Sequence, residues 1–252
     1  MKAPRLALFA LLLFGRSAGA APAASAESAL QAFNTANEHF RKGEYVQAAG
    51  AYEAALAASG ASGALHYDAA NAWQKAGELG RAIGHYRAAE RLTPRDEDLA
   101  ANLEQARRRV ADRIEPPRPS PALRTAFFWV YVLSSRELLL GTAAALGLAL
   151  ALLGLRFSGR AWALGPALGA LGLALALGGG LAGRALGQPA LGVVVPAEAS
   201  VRAGPEPGAT TLFHLHAGTE LEVQGDEGDW QKIRLSDGKR GWLRLDELFL
   251  VR

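Results

Sequence analysis

The sequence predicts a multidomain chain with three architectures in series: an all-α helical repeat, a two-helix transmembrane hairpin and a small all-β barrel. Three observations predict it. Residues 30–115 align with themselves at a period of 34 residues. Two mid-chain runs, 138–155 and 161–183, carry no charged side chain over 18 and 23 residues. From Ala190 onward, short alternating stretches are separated by turn residues, the signature of strands.

Composition narrows the function classes. The chain has 252 residues, half of them apolar, and no cysteine. Disulfide frameworks, thiolate metal sites and Cys nucleophiles are excluded. The net charge of +3 comes from unevenly distributed groups. Residues 1–26 carry +3, 27–115 carry −2, 116–189 carry +5 and 190–252 carry −3. The excess base therefore lies in the leader and around the apolar runs. The soluble parts are mildly acidic, which argues against a nucleic-acid partner.

Lys2 and Arg5 precede the apolar run Leu6 to Phe14, and Ala18-Gly19-Ala20 fits a cleavage site. Nine apolar residues are too few to span a bilayer, so residues 1–20 read as a signal peptide, with an uncleaved anchor as the alternative. Export of the chain beyond the leader is expected either way.

The 34-residue period pairs Asn37 with Asn71, Gly43 with Gly77, Ala48 with Ala82, Tyr52 with Tyr86 and Ala55 with Ala89. Gly at the turn, small Ala in the second helix and an aromatic four residues after that Ala resemble the tetratricopeptide repeat (TPR) family. Pro94 closes the second repeat where the family has its proline, whereas Gly60 stands there in the first. Residues 27–115 thus read as two repeats plus a capping helix over Asp96 to Asp112. Two repeats are few for a free-standing solenoid, so a partner, a second copy or the membrane is expected to complete it. The resemblance implies a concave groove lined by the first helix of each unit. Phe33, Asn37, Phe40 and Arg41, then Tyr67, Asn71, Gln74 and Lys75, would face a bound peptide. The plainer alternative is that both Asn satisfy hydrogen bonds within the array. Arg107-Arg108-Arg109 reads as a solvated helix face.

Pro116, Pro117, Pro119 and Pro121 read as a stiff extended linker, and Phe127, Phe128, Trp129 and Tyr131 as an interfacial aromatic anchor within 116–137. At about 1.5 Å per residue, residues 138–155 reach roughly 27 Å, enough for a hydrocarbon core. Arg156 and Arg160 in the tight loop before 161–183 place that loop on the cytoplasmic side. Both soluble parts are then extracytoplasmic, on an inner-membrane protein. Gly165 with Gly169, and Gly141 with Ala145, are small-xxx-small pairs suited to close helix contact. Neither span holds an acid, a lysine or a histidine, which argues against an ion pathway or proton relay.

In 190–252, Ser200-Val-Arg-Ala-Gly-Pro205, Ala217-Gly218-Thr219, Gly228-Asp-Trp230 and Gly238-Lys-Arg-Gly241-Trp242 resemble the bacterial SH3 (SH3b) family. The resemblance implies five to seven strands and a groove in which Phe213, Trp230 and Trp242 are candidates; packing in the core is the competing role for the tryptophans. His214 and His216, two residues apart on one strand face, have no third ligand to make a metal site. No catalytic constellation, metal set or cofactor-binding loop stands out, so the expectation is a non-enzyme.

The order of leader, TPR repeats, two spans and SH3b domain resembles the BatE-type proteins of the bacterial aerotolerance (Bat) operon. That resemblance implies other Bat membrane proteins, some with von Willebrand factor A domains, as partners. The function expected is a membrane scaffold displaying two interaction modules, with self-association open. The alternative is an envelope receptor whose SH3b domain binds peptidoglycan.

Overall fold

The computed structural model describes residues 23–116, 121–187 and 190–251. The predicted leader, residues 1–20, lies outside them, as do Pro117 and Pro119. Among the described residues the chain forms helices first and strands last.

The helical part consists of α1 (Ala23–Lys42), α2 (Tyr45–Ser59), α3 (Gly63–Ala76), α4 (Leu79–Leu92) and α5 (Glu97–Arg107). Gly43 and Gly77, 34 residues apart, end α1 and α3 at φ of +79° and +88°, a conformation that costs glycine nothing. Each then lets the next helix fold back. The buried small residues of the repeat, Ala48, Ala55, Ala82 and Ala89, are fully excluded from solvent where the helices touch. Tyr52 and Tyr86 are buried beside them. The capping helix is shorter than predicted: Asp96 caps α5 by accepting from the Leu99 amide at 3.0 Å, and the helix stops at Arg107. Val110 still packs on the helical core, but from irregular chain.

Pro121 opens a helix rather than ending a linker, as its fixed φ and missing N–H allow at a first helical position. The segment is α6 (Pro121–Ala126) and α7 (Phe128–Val132). The hairpin is α8 (Ser135–Phe157) and α9 (Leu164–Gly187), joined through a short 3₁₀ turn at Ala161–Ala163. Ser134 and Glu137 form a reciprocal capping box at the start of α8. Both helices are long and apolar enough to cross a membrane, and only 17% of either apolar window is buried by protein. Of the two predicted small-residue pairs, one lies at the helix contact: Ala145 is buried, and a Cβ at Gly141 would come 3.0 Å from Leu177. Gly165 and Gly169 do not, since a Cβ there meets nothing within 4 Å. Ala167, Ala170 and Ala174 take that place, because they occupy the inward face of α9.

Seven antiparallel strands complete the described chain: β1 (Ala190–Val194), β2 (Glu198–Arg202), β3 (Thr211–His216), β4 (Glu220–Glu227), β5 (Trp230–Arg234), β6 (Arg240–Arg244) and β7 (Leu248–Val251). Their order in the sheet is β3-β2-β6-β5-β4-β1-β7. Register shifts at Val201/Arg202 and Val223/Gly225 bend the sheet. It encloses Val201, Leu215, Leu221, Ile233 and Leu243.

The sheet docks on the helices. β1 and β7 are buried on both faces: Val194 and Leu248 belong to the sheet's core, while Val193 and Val251 belong to the helical core. Their near-continuous apolar runs reflect that double burial. α4 receives them through two glycines. A Cβ at Gly80 would stand 2.3 Å from the Val194 carbonyl oxygen, and one at Gly84 would stand 2.5 Å from the Phe249 ring. The sheet thereby covers the end of the short helical array.

Candidate functional site

Two surfaces carry the sequence-predicted binding residues, and a buried seam joins the modules that bear them.

The first surface is on α1 and α3. Phe33 and Tyr67 are half-buried, tilted against Tyr52 and Tyr86 with ring centroids 6.1 Å apart in each case. The Tyr52 hydroxyl donates to Asn37 Oδ1 at 2.6 Å. The Tyr86 hydroxyl donates to Asn71 Oδ1 at 2.6 Å, with Gln74 Oε1 equally close. The carboxamide oxygens of both Asn are thus held inside the array, one helix pair repeating the other. Phe40 packs edge-on to Tyr45 at 5.4 Å, and Lys75 Nζ stands 5.7 Å from the same ring, so Tyr45 gathers Phe40 and Lys75. Arg41 is exposed. Asn102 of α5 donates to the Tyr67 hydroxyl at 2.7 Å. Sequence reasoning missed Asp68, a half-buried acid on α3 close enough to raise the Tyr52 pKa, to which burial contributes more. Burial raises the Asp68 pKa in turn.

The second surface is the outer face of β2, β6 and β5. Arg202, Trp242 and Lys232 are cross-strand neighbours in one row, Arg240 pairs with Arg234 in the next, and Trp230 pairs with Arg244 on the other side. Opposite residues share a face, so two tryptophans and five cations share this one. Trp242 is half-exposed, with Lys232 Nζ 5.9 Å from its ring. Trp230 is 9% exposed, yet it stands outside the barrel's core cluster. It is covered from outside: the Arg202 guanidinium lies 6.0 Å over the ring and is itself fixed by the Pro207 and Ala209 carbonyls at 2.7 and 3.0 Å. Small aliphatic side chains already fill the inside. Phe213 is separated from this face. It lies opposite Val201 on the inner side, with Lys239 Nζ 5.8 Å from its ring. Glu222 and Asp246 engage Arg234 and Arg244, which leaves Lys232 and Arg240 as exposed cations of the face.

The seam is polar at its rim. Glu220, 4% exposed, receives Arg107 Nε at 2.7 Å and Nη2 at 3.2 Å, and Arg87 Nε lies 2.9 Å from its other oxygen. Arg107 is therefore not part of a solvated face, whereas Arg108 and Arg109 are exposed. Although burial disfavours the Arg107 cation, the bond and charge of Glu220 raise its pKa overall. Asp112 accepts from the His216 amide at 2.8 Å and the Thr219 hydroxyl at 2.5 Å, and contacts the His216 ring at 2.8 Å. Its burial raises its pKa less than these bonds lower it. His214 contacts Glu198 instead, at 2.8 Å, so carboxylates occupy both histidines. Deeper, Glu53 accepts from Trp73 Nε1 at 2.8 Å and lies 3.1 Å from His85 Nε2. His85 Nδ1 is 3.0 Å from His66 Nδ1, and its ring stacks 4.8 Å from Phe249 of β7. Burial and the neighbouring His85 push the His66 pKa down to about 4. Arg107, His216 and Thr219 stand in sequence patterns, but none of those patterns points to docking. The one available signal was the unbroken apolar character of β1 and β7.

Residues 197–248 match the bacterial SH3 domain family. They cover β2 to the start of β7, with the outer aromatic face inside the match. A bacterial SH3 domain suggests a protein- or peptidoglycan-binding module. No curated protein matches the chain.

Proposed function

We propose that the chain is a membrane-anchored, non-enzymatic scaffold that presents two binding modules as one docked unit. The observation that carries this reading is the seam itself. Glu220 between Arg87 and Arg107, and Phe249 against Gly84, fix the SH3 domain to α4 while the α1/α3 face and the Trp242 face remain accessible. The helix pairs are read as tetratricopeptide repeats on their 34-residue period and their repeated Asn–Tyr bond. The hairpin is read as the anchor because its apolar surface is almost wholly uncovered by protein. Arg156 and Arg160 in its loop, with the leader read from the sequence, support an extracytoplasmic side for both modules. The domain order supports a place in a Bat-type membrane complex, with von Willebrand factor A-domain proteins as partners. Crosslinking and pull-down from native membranes tests the reading: recovery of membrane-protein partners through the α1/α3 face supports it, and recovery of none counts against it.

A second reading is favoured by one feature. Trp242 beside Lys232 and Arg240 offers an aromatic platform with cations, suited to the sugar faces and carboxylates of peptidoglycan. On that reading the protein is an envelope receptor, and it pellets with cell-wall sacculi.

A further inference from the structure

A cavity of about 630 Å³ lies between α6–α7 and the last turns of α9. Its walls include Leu123, Phe127, Trp129, Gly179, Gly180 and Arg184. Glycines make it. Gly180 lets α7 come close, since a Cβ there would stand 2.8 Å from Val130, while a Cβ at Gly179 would project into open space. Trp129 Nε1 donates to the Ala176 carbonyl at 3.4 Å and pins the roof. The hollow is apolar along its length and becomes basic at one end. Arg184 donates to the Leu133 carbonyl at 2.7 Å, to the Val130 carbonyl and to the Ser135 hydroxyl at 3.3 Å. Exposed Arg136 follows Ser135, and exposed Arg124 follows the wall residue Leu123. Glu137, an acid close to Ser135, is engaged by Arg95 at 2.5 Å and by the Ser134 amide at 2.7 Å.

We propose that this cavity seats one phospholipid with an anionic head group. The inference rests on the membrane-anchored reading above. An apolar hollow of this size is not stabilised by water, which needs polar partners it does not offer. From Leu175 to Arg184 the wall runs about 14 Å along α9, at 1.5 Å per residue, so an acyl chain lies against the glycines with its head at the arginines. Trp129, bonded to the Ala176 carbonyl, lies along the acyl portion of the wall rather than at its arginine end. Arg184 in the wall, with Arg136 next to the Ser135 that Arg184 holds, makes this end basic and favours a negative head, as basic pockets beside membrane helices do.

The test uses the full chain, purified in mild detergent and exposed to phosphatidylglycerol or phosphatidylcholine of identical acyl chains, with retained lipid read by native mass spectrometry. One phosphatidylglycerol is expected to stay bound with about tenfold preference over phosphatidylcholine. Gly179→Leu, which fills the hollow without a backbone clash, should abolish that adduct at unchanged helix content. Gly183→Leu does the same from the next turn. Equal retention of the two lipids by the unaltered protein overturns the proposal without any variant, as does an undiminished adduct in a folded Gly179→Leu protein. Release of the chain from membranes by alkaline carbonate would instead overturn the membrane reading beneath it.

Discussion

Glu220 Oε1 of the barrel accepts a hydrogen bond from Arg107 Nε of the helical array at 2.7 Å, across 113 residues of chain. The carboxylate is almost completely buried, and Arg87 approaches it from the other side. Removing its charge leaves the Arg107 guanidinium without its carboxylate in a partly buried seam, while Arg87 keeps Glu90. Breaking such a pair costs about 3 kcal/mol, far more than an exposed pair would. Glu220→Gln should therefore lower the stability of the helical part as well as the barrel. Urea unfolding followed by amide hydrogen exchange in α4 and α5 and in β4 and β5 should show both transitions moving together. A shift confined to the strands would mean that the modules are not coupled.

The apolar half of the seam gives a second expectation. Gly84→Val places methyl groups where the Phe249 ring sits, 2.5 Å from the new Cβ. Overpacking of this kind costs about 1–3 kcal/mol, and separation of the two surfaces relieves it. The SH3 domain should undock while both parts keep their folds. Limited proteolysis near residue 116 should accelerate in the variant, and unchanged cleavage would show that the contact is not what holds the barrel in place.

Within the helices, Ala48 and Ala82 are fully excluded from solvent. Ala48→Asp or Ala82→Asp forces a carboxylate without a partner into a close helix contact, at a cost of about 3–5 kcal/mol. Either should unfold the array, seen as loss of cooperative thermal melting. Native-like melting would contradict the packing of the repeat.

Much of this architecture was legible in the sequence because it is written in local periods. Tyr52 and Tyr86 are buried beside Ala55 and Ala89 as the 34-residue repeat requires, and the uncharged runs became α8 and α9. Docking was not legible. Gly80 and Gly84 read as weak helix formers in α4, and nothing local announces that Val194 and Phe249, more than a hundred residues away, need the space. Arg107 belongs to a run of three arginines, and only tertiary contact separates it from its solvated neighbours. Which tryptophan stays open was not legible for a related reason. Trp230 loses its solvent to Arg202 on the outer face, a form of burial that alternation cannot distinguish from core.

Acid should loosen the array in a defined window. His66 titrates near 4 in the folded chain against 6.5 when unperturbed, facing His85 of α4 and, beyond it, Glu53 of α2. The unfolded chain binds the proton first, so stability falls as pH drops below 6.5 and levels off near 4. With its partial exposure discounted, the loss is on the order of 1–2 kcal/mol. Glu53, whose pKa is lowered from 4.5, adds its own loss only as pH falls through that value, at the acid edge of this window. His216 works the opposite way: its raised pKa favours folding at low pH, and that contribution fades as pH rises through the folded value. Unfolding curves at pH 7, 5.5 and 4.5 should show the acid slope in the unaltered protein and a flatter one in His66→Gln.

Which surface selects the partner is decided by variants that leave the folds intact. Asn37→Ala is a poor choice, because it leaves the buried Tyr52 hydroxyl without its acceptor, at about 1–3 kcal/mol of stability. Arg41 and Lys75 are exposed at the margin of the α1/α3 face, and Lys75 is held only by its approach to the Tyr45 ring. Reversing both charges should change stability by less than about 0.5 kcal/mol, as at most surface sites. If the α1/α3 face carries recognition, Arg41→Glu with Lys75→Glu should cut partner recovery about tenfold or more, rim charges acting chiefly through association rate. The matching change on the barrel is Trp242→Ala, which removes the half-exposed ring and spares the covered Trp230. That variant should lose binding to sacculi while recovering membrane partners normally. Should Trp242→Ala abolish partner recovery and the double charge reversal leave it unchanged, the helical array acts as the support and the SH3 face as the reader.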